Sequence, residues 1–519
     1  MRRDIIIGID AGTSVIKAIA FRSDGLQIAA FALPNIYGHI KGGGAEQDML
    51  RTWNDTVACI RGLAELVPSL ADRAAALAVT GQGDGTWLID DDGVPTAPAM
   101  LWLDARASTI VDGLRGSEAE RRVYEHTGTG LNSCLQSIQL LWLRRQRPDV
   151  LSASSTAFHC KDWLYFKLTG DRASDPSESL FTYGDVRTRL VDPEVLIALG
   201  LVDEARLIPP IVDGLRTLGR LSREAARETG LSLGLPIALG YVDIVAAALG
   251  AGIYDRDEPA GCTIMGSTGM HMRLVRTADD VRPSTDMTGY TIAFPLGASY
   301  IQLQSNMAST LNLDWIINFA RGILHDQGVS VSREQFLQSV DVRVLGAEPG
   351  SLLYHPYISE AGERGPFVDS AARAQFMGLA EVHRYDDLLR AVMEGLAFAA
   401  RDCYEAMGDI PREIRVTGGA ARSQALKVIL GAVLGADIRT SSREEAGAAG
   451  AAMTAAVALG LYSDMESCTD QWASPLLQAP TRPDSELASR YNRLFPTYVA
   501  ARHSSAPVWH ALKAAQATN

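Results

Sequence analysis

Asp4-Ile5-Ile6-Ile7-Gly8-Ile9-Asp10-Ala11-Gly12-Thr13-Ser14-Val15-Ile16-Lys17-Ala18-Ile19-Ala20-Phe21 opens the chain with two apolar runs around a Gly-Thr-Ser turn. Two β-rich runs joined by a short turn predict a hairpin. The first run ends on Asp10, and the turn carries Gly12, Thr13 and Ser14. Successive N–H groups in such a turn form an anion-binding concavity, to which hydroxyls add donors. A carboxylate at the strand end can hold Mg²⁺, directly or through water. Lys17 could reach a phosphate as a point charge. An ordinary β-turn is the plainer reading of the same residues.

Past residue 240 this pattern restarts. Residues 262–265 read as a strand, Gly266-Ser267-Thr268-Gly269 as a turn, and 270–275 as another strand. The echo predicts an internal duplication, two similar halves facing each other. Between them, residues 29–33, 74–80 and 86–89 read as strands, and 53–66, 136–147 and 161–170 as helices. Later, 388–407, 423–434 and 446–459 read as helices, and a strand at 413–417 runs into Gly418-Gly419. Such alternation predicts an α/β fold. No low-complexity linker separates the halves, so residues 243–252 are expected to be a hinge within a compact pair. Residues 472–519 read as two helical stretches without a motif, with Trp509 as a packing anchor.

At roughly 150 residues per domain, 519 residues make about three units or two large ones. Lys and Arg total 48 against 61 Asp and Glu, a net charge of −13. That balance argues against a general nucleic-acid partner and against docking on anionic membranes. No apolar run approaches the roughly 18 residues of a membrane span, and no signal-peptide pattern precedes the first strand. The six cysteines are scattered, with no C-x-x-C pair. Reduced thiols in a cytoplasmic protein are expected, with no visible zinc ligand cluster.

Two further segments carry chemistry. In Gly240-Tyr241-Val242-Asp243-Ile244-Val245-Ala246, one carboxylate sits at the mouth of an Ala-rich helix. Asp243 reads as an N-cap, which would stabilise the helix by about 1 kcal/mol, or as a general base for a hydroxyl nucleophile. Gly418 and Gly419 open space for a flat ligand, or for a phosphate at the next helix N-terminus. Neither G-x-G-x-x-G nor G-x-x-x-x-G-K-[ST] is present there, which disfavours Rossmann and P-loop readings.

Together these motifs resemble the FGGY carbohydrate kinases, of the actin-like, sugar-kinase and heat-shock ATPase superfamily. The likeness spans about residues 4–465. Ala374-x-Phe376-x-Gly378-Leu379, seven residues, then Asp387-Leu388-x-x-Ala391-Val392-Met393-Glu394 is similar to the family's full C-terminal signature. The N-terminal signature departs: Gln139 stands where the family carries a Lys three residues before Trp142. The resemblance implies two actin-like (ribonuclease H-like) domains with a cleft between them: residues 1–247 for substrate and phosphate, 248–519 for nucleotide. It implies ATP and Mg²⁺ as cofactors, with Asp10 positioning the metal through water. Gly12, Thr13, Ser14, Lys17, Gly266, Ser267, Thr268, Gly418, Gly419 and Glu445 would meet the nucleotide and its phosphates. Asp243 matches the catalytic base, and Gln82, Asp84, Trp102, Asp104 and Asp243 would meet the substrate. A homodimer is also implied.

Glycerol kinases carry Arg-Glu, and xylulokinases Met-His, where this chain has Gly83-Asp84. Losing the Arg removes a donor fork, while Asp84 keeps two acceptor oxygens suited to an uncharged, polyhydroxylated substrate. The opening hairpin, Gly81–Trp87 and 240–253 look most like the erythritol kinases of the family, with L-xylulose kinases next. The residues alone reach an ATP-dependent kinase of a small polyol or ketose. An actin-like nucleotide switch, or a sugar-binding regulator without catalysis, would use the same hairpins but needs no Asp243.

Overall fold

The computed structural model describes residues 3–254 and 260–516, with the side chain of Ala420 left out of account. The opening residues form the predicted hairpin, β1 (Ile5–Ala11) and β2 (Val15–Arg22), in antiparallel register with Asp10 opposite Lys17. β3 (Gln27–Pro34) extends it on one side. On the other side β4 (Ala74–Gly81) and β5 (Pro236–Leu239) run parallel to β1. The core order is therefore β3-β2-β1-β4-β5, with Gly219–Arg220 beyond β5.

The second half repeats this plan. β6 (Gly261–Met265) and β7 (Gly269–Val275) form a hairpin, β8 (Tyr300–Asn306) lies antiparallel to β7, and β9 (Glu413–Thr417) and β10 (Asp437–Thr440) run parallel to β6. The order β8-β7-β6-β9-β10 is that of the first sheet, with Tyr290–Ala293 added outside β8. The duplication read from two Gly-Thr/Ser turns is thus a duplication of whole sheets. Each sheet is buried by helices on both faces, as parallel strands require. β1 reads Ile-Ile-Ile-Gly-Ile because neither face meets water.

The junction carries the Ala-rich helix read after Asp243. Residues 243–250 form a helix, Asp243–Gly250, which packs against Ala446–Ala458 of the second half. A Cβ on Gly450 would lie 2.0 Å from the Ala246 carbonyl oxygen, and one on Gly250 2.0 Å from that of Ala446. Two helix backbones touch there, which only small residues permit. Gly8 does the same for β1, where a Cβ would lie 2.4 Å from the Ala448 oxygen.

The tail differs from expectation. One helix, Ser485–Gln516, runs through Pro496 and Pro507. Its Tyr491, Phe495 and Tyr498 join the core of the second half, and Trp509 packs against Tyr357 and Phe367. Tertiary burial here outweighs the helix-breaking cost of proline. Glu394, the last residue of the C-terminal signature, anchors this docking. Its carboxylate accepts from Tyr491 Oη at 2.6 Å, Arg390 Nε at 2.7 Å and the Gly350 N–H at 3.0 Å. Glu394→Ala leaves the Arg390 charge buried without its partner and is expected to cost about 3–5 kcal/mol. Urea unfolding of the variant checks this; a loss below about 1 kcal/mol would reduce the signature Glu to a bystander. Among the described residues, no helix is long and apolar enough to cross a membrane.

Candidate active site

The carboxyl ends of the parallel strands of the first sheet converge on one place. β1 ends beside Asp10, β4 at Gly81 and β5 at Leu239, just before Gly240. Ligands of open α/β sheets bind at this edge. A cavity of about 460 Å³ opens there, between the two sheets. Asp10, Gly12, Thr13, Ser14, Lys17, Asp84, Trp102 and Asp243 line it.

Asp243 is the first residue of its helix, and Val242 occupies the N-cap position, so the N-cap reading falls. The turn before it is tied down from three sides. Thr80 Oγ1 donates to the Tyr241 carbonyl, Tyr241 Oη to Asp213, and the Val242 N–H to Ser177 Oγ. Ser177 is in turn bonded to Asp175, which pairs with the buried Lys161. Burial pushes the Asp243 carboxyl up to about 8, and the charge of Asp10 adds to the rise. Asp10 itself is lifted by burial to about 6, against the pull of Lys17. Two half-buried carboxylates that repel each other call for a cation, and hard oxygen donors suit Mg²⁺. Gly447, at the start of Ala446–Ala458, leaves room for Asp10: a Cβ there would lie 2.4 Å from Oδ2.

The other expected residues divide. Thr13 Oγ1 donates to Gln82 Oε1 at 3.0 Å and accepts from Trp102 Nε1 at 2.8 Å. Gln82 stands behind Thr13, outside the cavity lining, and reaches back to Gln47. Asp104 is also outside it: its carboxylate is taken by the Arg106 guanidinium and the Ala45 N–H. Lys17 Nζ is held by Glu445 at 2.7 Å, a pair that bridges the two halves. Gly266, Ser267 and Thr268 form the turn between β6 and β7, whose carbonyls receive the Ser309 and Thr310 N–H groups. Ile264 and Met270, on either side of that turn, line the cavity. Gly418, at φ +89°, lies against Met265 where a Cβ would lie 2.6 Å from the Met265 oxygen. Gly419 starts a short 3₁₀ turn beside it. Gln139, the departure from the N-terminal signature, is fully buried and donates to the Leu101 carbonyl.

Asp84 is a turn residue that also lines the cavity. It sits at φ +54°, a left-handed turn conformation that Asp tolerates, and it lines the cavity. Its N–H donates to Glu178 Oε2 at 3.4 Å, and Oδ2 accepts from Tyr290 Oη at 3.2 Å. Burial raises its carboxyl above the usual range. Gly83 beside it has no space for a side chain: a Cβ would lie 2.6 Å from Val242 Cγ2. Phe181, Tyr290, Ser305 and Arg364 also line the cavity. No motif surrounds them in the sequence, so pattern reading missed them.

A duplicated sheet pair with carboxylates at the strand ends and a cleft between the halves defines a two-domain, actin-like phosphotransferase architecture. Residues 5–250 match the profile of the FGGY family of carbohydrate kinases, N-terminal domain, and residues 261–459 that of its C-terminal domain. The chain belongs to this family and is an ATP-dependent carbohydrate kinase. It is 49% identical over 509 residues, 98% of each chain, to the erythritol kinase of Brucella abortus (strain 2308). Among solved structures it is similar to a xylulose kinase from Rhodospirillum rubrum, at TM-score 0.87 and 26% identity over 98% of this chain and 100% of the other. It also shares the fold of a gluconate kinase from Lactobacillus acidophilus, at TM-score 0.88 and 23% identity over 98% and 99%.

Proposed function

We propose that this chain transfers the γ-phosphoryl group of ATP to a terminal hydroxyl of a small polyol, with erythritol as the preferred acceptor. The observation that carries the acceptor is the 49% identity, end to end, with a relative named for that substrate. The cavity agrees in chemistry: Asp84 offers carboxylate oxygens to hydroxyl donors, and Trp102 and Phe181 supply apolar walls.

In this reading Asp243 accepts the hydroxyl proton as the new O–P bond forms and the bond to the ADP oxygen breaks. The turns at 12–14 and 266–268 hold the phosphates by N–H and hydroxyl donors, with Gly418, Gly419 and Glu445 along the nucleotide. Gln82 and Trp102 orient Thr13, and Asp104 acts indirectly, by fixing the loop that carries Trp102. Mg²⁺, held near Asp10 through water, would supply charge neutralisation on the phosphates. Residues 1–247 form the acceptor-binding domain and 248–519 the nucleotide domain, in a cytoplasmic enzyme that assembles as a homodimer. Closure of the pair excludes water as a competing acceptor.

An ADP-release assay with MgATP tests this against erythritol, D-threitol, glycerol, L- and D-xylulose, L-ribulose, xylitol and ribitol. Erythritol is expected to give the highest kcat/KM. A pentulose or pentitol giving the highest value would overturn the acceptor and move the chain to the L-xylulose branch. MgATP binding without turnover of any acceptor would favour a regulator.

A further inference from the structure

Tyr290 and Arg364 belong to the second half of the chain, yet both line the cavity beside Asp84. Tyr290 Oη donates to Asp84 Oδ2 and accepts from Asn132 Nδ2 at 3.3 Å. Phe181 holds its ring edge-on, with centroids 5.5 Å apart and planes at 88°. The strand around it is stitched to the first half. The Gly130 N–H donates to the Gly289 carbonyl at 2.8 Å, the Thr291 N–H to Thr129 Oγ1 at 3.2 Å, and Thr291 Oγ1 to the Gly128 carbonyl at 2.9 Å. Tyr290 therefore faces Asp84 in a fixed geometry rather than by chance of a mobile loop. Arg364 is anchored by Nε to Ser305 Oγ at 2.8 Å, near enough to Asp84 for its charge to oppose the effect of burial.

The other oxygen of Asp84, Oδ1, is buried and has no hydrogen-bond partner. A buried acceptor without a donor is costly, and this one belongs to a side chain that lines a ligand-sized cavity. A ligand hydroxyl would supply the donor. The anion and cation together leave the spot nearly neutral, which suits an uncharged hydroxyl and disfavours a carboxylate beside Asp84. Asp243 and Asp10 mark the reacting end of the cavity, so this cluster serves a different hydroxyl.

We propose that Tyr290 and Arg364 complete, with Asp84, a clamp for a non-reacting hydroxyl of the acceptor, so that the second half of the chain sets acceptor length. The clamp rests on the polyol-kinase reading above. Asp84 Oδ1 accepts from the acceptor O–H, Arg364 donates to an acceptor oxygen, and the Tyr290 hydroxyl holds Asp84 in the accepting rotamer. The Tyr290 ring closes the cavity.

Steady-state kinetics of Tyr290→Phe and Tyr290→Ala test it, with erythritol and xylitol as acceptors. Tyr290→Phe is expected to raise KM for erythritol about tenfold, the effect of losing one buried hydrogen bond, with a smaller loss in kcat and KM for MgATP within about twofold. Tyr290→Ala lengthens the cavity and is expected to raise the xylitol-to-erythritol ratio of kcat/KM about tenfold. Erythritol KM within twofold in the Phe variant would overturn the clamp, as would an unchanged ratio in the Ala variant. Thermal melts establish folding. Should the Ala variant not fold, Arg364→Lys decides, with the same KM criterion. If the parent phosphorylates another acceptor of the panel instead of erythritol, the functional reading fails and the clamp is judged on that acceptor's KM.

Discussion

Asp243→Asn is expected to lower kcat by about 10³-fold while KM for MgATP stays within about twofold. The substitution keeps shape and removes the proton acceptor. The side chain lines the cavity at a strand end, so the loss falls on the chemical step rather than on the nucleotide. A variant with turnover within tenfold of the parent would sink the base assignment. The pH dependence carries the same prediction in a second form. Burial and Asp10 raise the Asp243 carboxyl to about 8 from an ordinary 3.8. A base must be unprotonated, so kcat/KM for the acceptor at low MgATP is expected to fall as pH drops through about 8, with slope one. Saturating MgATP, by placing a cation near the pair, is expected to move that limb to lower pH. A profile flat from pH 6 to 9 would contradict both.

The sign for stability is opposite to that of a salt-bridged carboxylate. Between about 4 and about 8 the folded chain holds a proton at Asp243 that the unfolded chain has released. Stability from this group therefore falls as pH rises through that window. Asp243→Asn removes the penalty. Its melting temperature is expected to exceed that of the parent at pH 8 by a few degrees, and by less at pH 5.

Gly447→Ala is the second large effect. The added Cβ would lie 2.4 Å from Asp10 Oδ2 and 3.1 Å from Asp10 Cγ. Neither position tolerates overlap, so the carboxylate must turn away from its place beside Asp243. The expected result is about a 10²-fold loss of kcat, the scale of a 1 Å misplacement in a reacting site. Ala also suits a helix better than Gly, so the fold is expected to survive. Activity within threefold of the parent, with an unchanged melt, would show that the position of Asp10 does not limit the reaction. The contrast with Gly450 is instructive. A Cβ there meets the Ala246 backbone at 2.0 Å, which cannot rotate aside as a carboxylate can.

Much of the architecture was legible because it is written in local patterns. Two apolar runs around Gly12-Thr13-Ser14, and two more around Gly266-Ser267-Thr268-Gly269, have one sensible local structure each. Their similarity implied the duplication now seen as matching strand orders. The cavity residues beside those motifs were legible too: Asp10, Thr13, Ser14 and Asp243 follow from turns at strand ends, while Asp84 was reached through the family resemblance. Legibility failed where partners are far apart in sequence. Nothing near Asp104 signals that Arg106 and Ala45 absorb its carboxylate. Nothing near Lys17 points to Glu445, 428 residues away.

The sequence by itself determined the α/β class, the paired hairpins and the carboxylates at strand ends. These depend on periodicity and turn chemistry, which act over a few residues. Tertiary structure alone decided that residues 243–250 pack against residues 446–458, and that Gln82 supports Thr13 from behind. It also decided that Tyr290 and Arg364 reach Asp84 from the other half. Those outcomes depend on which surfaces meet when two sheets close on each other. The free energy of that meeting lies in buried contacts between residues hundreds of positions apart, and no local pattern encodes it.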